Sequence, residues 1–131
     1  MRNSNVLKAV LFLSGLLLIL VGVEMLFDPD NMLGKHGINI NGNISLLNEL
    51  KGHGGVLLGC GILILLGAFF NKLSFTSILV SVVVYLSFAI GRVIGILVDG
   101  FPSEGLIIAL ALEFIFGLLG LFCFFKYREK H

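Results

Sequence analysis

Two residues of opposite charge lie where charge is expensive. Arg92 sits inside an apolar run from Leu73 to Val98, and Glu113 inside another from about Gly105 to Phe125. A guanidinium cannot shed its proton, and placing one near the centre of a lipid-embedded helix costs roughly 2.5–3.5 kcal/mol on insertion scales. A partner is required, and Glu113 is the nearest candidate. An ionisable group at membrane depth points by default to function. Glu49, Lys51 and His53 stand together before a third apolar run, and Tyr85 and Asp99 flank Arg92 on its own segment. Such a cluster could anchor an anionic or carbonyl group on Arg92 while Glu113 and Glu49 balance the charge. A desolvated carboxylate with His53 nearby could also shuttle protons. The plainer use is a buried ion pair that fixes helix register, with no ligand.

Helical spacing places these groups. Ser81, Tyr85, Arg92 and Asp99 recur at intervals of four and seven, which is one stripe of a helix. A polar stripe among Leu, Val and Ile should face protein or water. Glu113 shares a face with Ala109, Gly117 and Gly120, small residues of the kind that mark close helix contact in lipid. Both charges are therefore expected to point inward.

The elements that carry them are membrane spans. The chain has 131 residues, 57% hydrophobic and 13% charged, with a mean hydropathy of +1.06. Soluble domains run nearer 45–50% apolar and about 25% charged. A span needs about 20 apolar residues, and helices are expected over about 6–27, 45–70, 73–98 and 103–125. No strand-like alternation of apolar and polar residues occurs, which excludes a β-barrel. The fold expected is an all-α up-down-up-down four-helix bundle in a single domain, residues 1–131. The first run lacks a small-x-small cleavage site and reads as a retained helix rather than a signal peptide.

Basic residues orient the bundle. Arg2, Lys8, Lys72, Lys126, Arg128 and Lys130 fall on one side, and Lys35 and Lys51 on the other. The positive-inside rule then puts both termini in the cytoplasm and turns the 28–44 loop and the 99–104 turn outward. Asp28-Pro29-Asp30-Asn31 should end the first helix, and the glycines and asparagines that follow should keep the loop irregular. Ser45 or Asn43 reads as the cap of the second helix, and Asp99-Gly100 ends the third.

Glycine marks the expected contacts. Gly52, Gly55 and Gly59 share a broad face of the second helix. Gly91 and Gly95 repeat the small-xxx-small spacing beside Arg92, and Gly117 and Gly120 lie beside Glu113. Packing within one chain is the first use of these faces, and a homodimer interface is the other.

Glu49-Leu50-Lys51-Gly52-His53-Gly54-Gly55, then Gly91-Arg92 leading to Asp99-Gly100, and Glu113 in the last helix carry a resemblance. Over nearly the whole chain they resemble an uncharacterised bacterial family of small four-helix membrane proteins, the domain of unknown function numbered 4345. Its pattern has an arginine where Lys51 stands and an aromatic where His53 stands. Lysine grips a carboxylate less well than arginine does. The resemblance implies residence in the bacterial inner membrane and a distant similarity to the DoxX-like group, without an activity.

Three functions compete. A protein holding a lipid or other lipophilic small molecule, or serving as accessory to a partner membrane protein, comes first. Nothing marks a nucleophile, a metal cluster or a cofactor. Cys60 and Cys123 lie at depths too different for a disulfide. A membrane enzyme acting on a lipophilic substrate, an isomerase or a quinone-linked one, is second, provided that His53 reaches the Arg92–Glu113 site. A dimeric small transporter is third, and it is weakened because the buried glutamate has a basic partner. With a net charge of +1, nucleic acid has no electrostatic claim.

Overall fold

In lipid a backbone must satisfy its own hydrogen bonds, so long apolar runs become helices. The computed structural model describes residues 4–34, 37–38 and 42–128 and is all-helical. Its long helices are α1 (Asn5–Phe27), α3 (Ile44–Phe69), α4 (Ser74–Asp99) and α5 (Glu104–Tyr127), with a short α2 (Pro29–Gly34) after α1. All four long helices are long and apolar enough to cross a membrane, which makes this a membrane protein.

Local chemistry sets the boundaries. The side-chain oxygen of Asn43 accepts from Leu46 N at 3.0 Å and caps α3. Gly100, at φ +98°, ends α4 in a conformation that side chains resist. A 3₁₀ turn over Asn71–Leu73 joins α3 to α4. Asp28 ends α1 as expected, but the 28–44 loop is not irregular throughout, because Pro29 opens α2. Proline has no N–H to lose in a first turn and its φ is already helical. Of the loop's glycines and asparagines, Asn39 and Asn41 lie outside the described residues.

Helices α1 and α3 meet closely through glycine. A Cβ on Gly15 would lie 2.7 Å from Leu65 N and 2.8 Å from Gly61 O. One on Gly22 would lie 2.7 Å from Leu58 N and 2.8 Å from Gly54 O. Any side chain there would push the backbones apart. The expected face of α3 is a different one. Gly52, Gly55 and Gly59 have open space around them, as do Gly91 and Gly95 on α4, and the close packing assigned to them falls to Gly54 and Gly61. A shift of two positions turns a helix face by about 200° at 3.6 residues per turn. On α5, Gly117 and Gly120 do pack, under Leu86 and Val82 of α4.

Hydroxyls tie α4 to α3. Ser74 Oγ donates to Gly67 O at 2.9 Å, and Ser77 Oγ to Leu63 O at 2.7 Å. Around them Leu7, Leu11, Ile64, Ile78 and Cys123 are almost fully buried. Cys60 and Cys123 are both free thiols. Burial then stops along two helices. Beyond Ala89 no residue of α4 is buried, and before Gly117 none of α5 is.

Candidate functional site

The charged pair occupies the stretch where α4 and α5 lose their packing. Arg92 lies seven residues before the end of α4 and Glu113 nine after the start of α5, so both sit roughly 10–14 Å from the same end of the bundle. Arg92 Nε donates to both carboxylate oxygens, at 3.0 Å to Oε1 and 2.8 Å to Oε2. The side chains are 32% and 13% exposed respectively. Glu113 thus meets the guanidinium through Nε alone. Among the described residues the terminal nitrogens of Arg92 make no hydrogen bond.

Beside the pair is a cavity of about 290 Å³ between α1, α3, α4 and α5. Its wall is mostly hydrocarbon, with Val21, Met25, Leu57 and Phe88 among its residues, and Leu33 reaches it from α2. Four polar side chains complete it: His53, Tyr85, Arg92 and Glu113. Small-ligand sites combine an apolar wall with a few convergent polar groups in this way.

Each polar group has a definite hydrogen-bonding state. Tyr85 is buried, its ring stacked on Phe116 at 5.5 Å between centroids. Its hydroxyl donates to the backbone oxygen of Ser14 at 2.5 Å and links α4 to α1. His53 Nδ1 lies 2.7 Å from Glu49 O, one turn back on α3. A carbonyl can only accept, so Nδ1 carries the hydrogen, and in the neutral ring Nε2 presents a lone pair. The cavity therefore offers donors at Arg92 and acceptors at His53 and Glu113.

A second cavity, of about 240 Å³, adjoins the first and is lined by Arg92, Gly95, Asp99, Gly100, Pro102 and other residues. Arg92 and Leu106 belong to both walls. Among the residues singled out in the sequence, the structure gathers Arg92, Glu113, Tyr85 and His53 around one cavity and places Asp99 in the next. Glu49 contributes only its backbone carbonyl, and its side chain lines neither space. Lys51 is exposed and lines neither.

Sequence reasoning passed over Ser14. It is the only hydroxyl-bearing residue of α1, fully buried, and its carbonyl receives Tyr85. A lone hydroxyl in an apolar span is a signal, because a polar group in hydrocarbon needs a partner. Ser14 Oγ and Ser81 Oγ are buried and make no hydrogen bond among the described residues. No group of three metal-ligating side chains occurs among the described residues.

A family model described as Domain of unknown function (DUF4345) matches residues 6–124. No curated protein and no solved structure matches the chain.

Proposed function

We propose, for a chain that belongs to the family described as Domain of unknown function (DUF4345), that it holds a lipophilic small molecule. The polar end of the ligand meets Arg92 and Glu113, and its hydrocarbon fills the apolar cavity. One observation carries this reading. A cavity of about 290 Å³ with a hydrocarbon wall ends on a guanidinium whose terminal nitrogens are uncommitted among the described residues. A purely structural ion pair gains nothing from an adjoining cavity, since unfilled space forfeits the packing contacts of its lining.

In this reading the helices run up-down-up-down in a bacterial inner membrane with both termini in the cytoplasm. The distribution of basic residues supports the orientation. The cavity then lies in the outer half of the bilayer.

Purified protein warmed with a panel of lipids tests the reading. At least one lipid should raise the melting temperature of wild type and of Lys72→Ala, at the exposed 3₁₀ turn, but not that of Arg92→Ala. A flat response in wild type, or one that Arg92→Ala retains, refutes it.

His53 supports a second reading, acid–base catalysis on the bound molecule. Its ring lines the same cavity as Arg92 and Glu113, with Nε2 available as a base. Turnover of a bound lipid that disappears in His53→Gln while binding survives would select it.

A further inference from the structure

The head group can be narrowed, on the premise that a lipophilic ligand binds here. We infer that the site takes a neutral head that both accepts and donates hydrogen bonds, such as a primary amide or a hydroxy ester, and rejects a carboxylate or phosphate.

Charge is the first argument. Arg92 alone invites an anion, but Glu113 sits on its Nε with both oxygens. One carboxylate thus already pairs with the one fixed cation of these walls, and Lys51 lines neither cavity. An anionic head would enter a site that is already neutralised and bring a second negative charge beside Glu113. Like charges placed together in an interface repel and disfavour binding. A neutral carbonyl suffers no such penalty and can still accept from the terminal nitrogens of Arg92, which point to no other acceptor among the described residues.

Hydrogen-bond direction is the second argument, and it is independent of charge. In the neutral ring the bond from Nδ1 to Glu49 O fixes the His53 tautomer and leaves Nε2 as an acceptor. Glu113, acceptor only when ionised, has lone pairs beyond those that Arg92 uses. Tyr85 cannot supply a donor, because its hydroxyl is committed to Ser14 O. The cavity therefore presents donors from one residue and acceptors from two, and a head with a carbonyl alone would leave the acceptors unmet. Sites built to pair with a ligand N–H or O–H discriminate strongly against analogues that lack it.

Three probes with one hydrocarbon chain separate the possibilities: decanamide, methyl decanoate and decanoate. Each is titrated at pH 8 against the full-length protein in mild detergent, with the shift in melting temperature giving relative affinity. Decanamide should bind best, methyl decanoate about tenfold more weakly for want of a donor, and decanoate weakest of all. In Glu113→Gln the order of amide and carboxylate should reverse, because the guanidinium is then unpaired and seeks an anion. In His53→Phe, at an exposed position, the advantage of decanamide over methyl decanoate should shrink. Decanoate binding wild type as well as decanamide does would overturn this inference and leave lipid binding intact. Equal binding of amide and ester would overturn its donor half. If none of the three shifts wild type, the inference falls, and the wider lipid panel decides whether the binding reading falls with it. Should Glu113→Gln not fold, the wild-type order and His53→Phe still decide the matter.

Discussion

The two ends of this bundle are built from the same four helices and packed by opposite rules. Around Ser74 and Ser77, hydroxyls donate to the carbonyls of α3, Cys123 and Tyr127 of α5 are buried, and small residues let the backbones close. Around Arg92 and Glu113, α4 and α5 bury nothing, and about 290 Å³ stays open between them and the α1–α3 pair. Helix α1 carries buried residues from Leu7 to Gly22, and α3 from Gly54 to Ala68. The contrast teaches how a small membrane protein can support a polar site. One continuous glycine seam provides rigidity, and the other two helices are then free to separate at one end, where charged side chains stand in place of contact.

Breaking the seam should have the largest effect. In Gly22→Val or Gly61→Val a side chain would meet the backbone of Leu58 or Ile19 with no room to yield. Overpacking of this kind costs roughly 1–3 kcal/mol and occasionally more. Both variants should lose most of their folded fraction in a reversible unfolding assay in detergent micelles. If either is as stable as wild type, α1 and α3 do not meet through these glycines.

Next comes the open end. Replacing Arg92 or Glu113 singly by methionine should destabilise more than replacing both, because each single change strands a charge. Residues in direct contact couple by roughly 0.5–3 kcal/mol, and a double-mutant cycle reads that coupling. Since the Arg92 side chain is 32% exposed, the lower part of the range is expected. Strictly additive effects would mean that the pair is not formed in the folded protein.

How far the sequence reached differs in the same way between packing and polar chemistry. Four apolar runs each longer than a bilayer dictate four long helices, and the cost of a lone guanidinium in lipid points from Arg92 to Glu113. Cost arguments of that kind need no coordinates. Register arguments do. Six glycines fall within sixteen residues of α3, at 52, 54, 55, 59, 61 and 67, and periodicity alone does not say which face meets a neighbour. Gly54 and Gly61 are selected only because Gly15 and Gly22 on α1 repeat the same interval of seven. The cavity was illegible for a related reason. It arises where packing ends on two helices, and no residue type encodes an absence of contact. His53 was legible as a polar residue near the site, but its tautomer depends on a bond to Glu49 O.

Ser74→Ala probes the closed end with a smaller effect. Gly67 is among the last residues of α3, where carbonyls run out of helical partners, and Ser74 Oγ supplies one. Interhelical hydrogen bonds in membrane proteins average about 0.6 kcal/mol and reach about 1.7. A loss within that range is expected in the same unfolding assay. No loss at all would mean that the carbonyl finds another donor.

The smallest effect belongs to the glycines that the seam leaves out. Gly55→Ala and Gly59→Ala place a methyl group in open space. Alanine is favoured over glycine in a helix interior by up to about 1 kcal/mol, through the entropy of the unfolded backbone. Each substitution should therefore leave stability unchanged or raise it slightly, opposite in sign to Gly22→Val on the facing helix. Bulk sharpens the comparison further. Gly55→Ile should also be tolerated by a single chain, because nothing lies within 4 Å of the position where its Cβ would stand. If Gly55→Ile instead destabilises the protein in a way that depends on its concentration in the micelle, the exposed face of α3 is a contact between copies, and its glycines serve assembly rather than the fold.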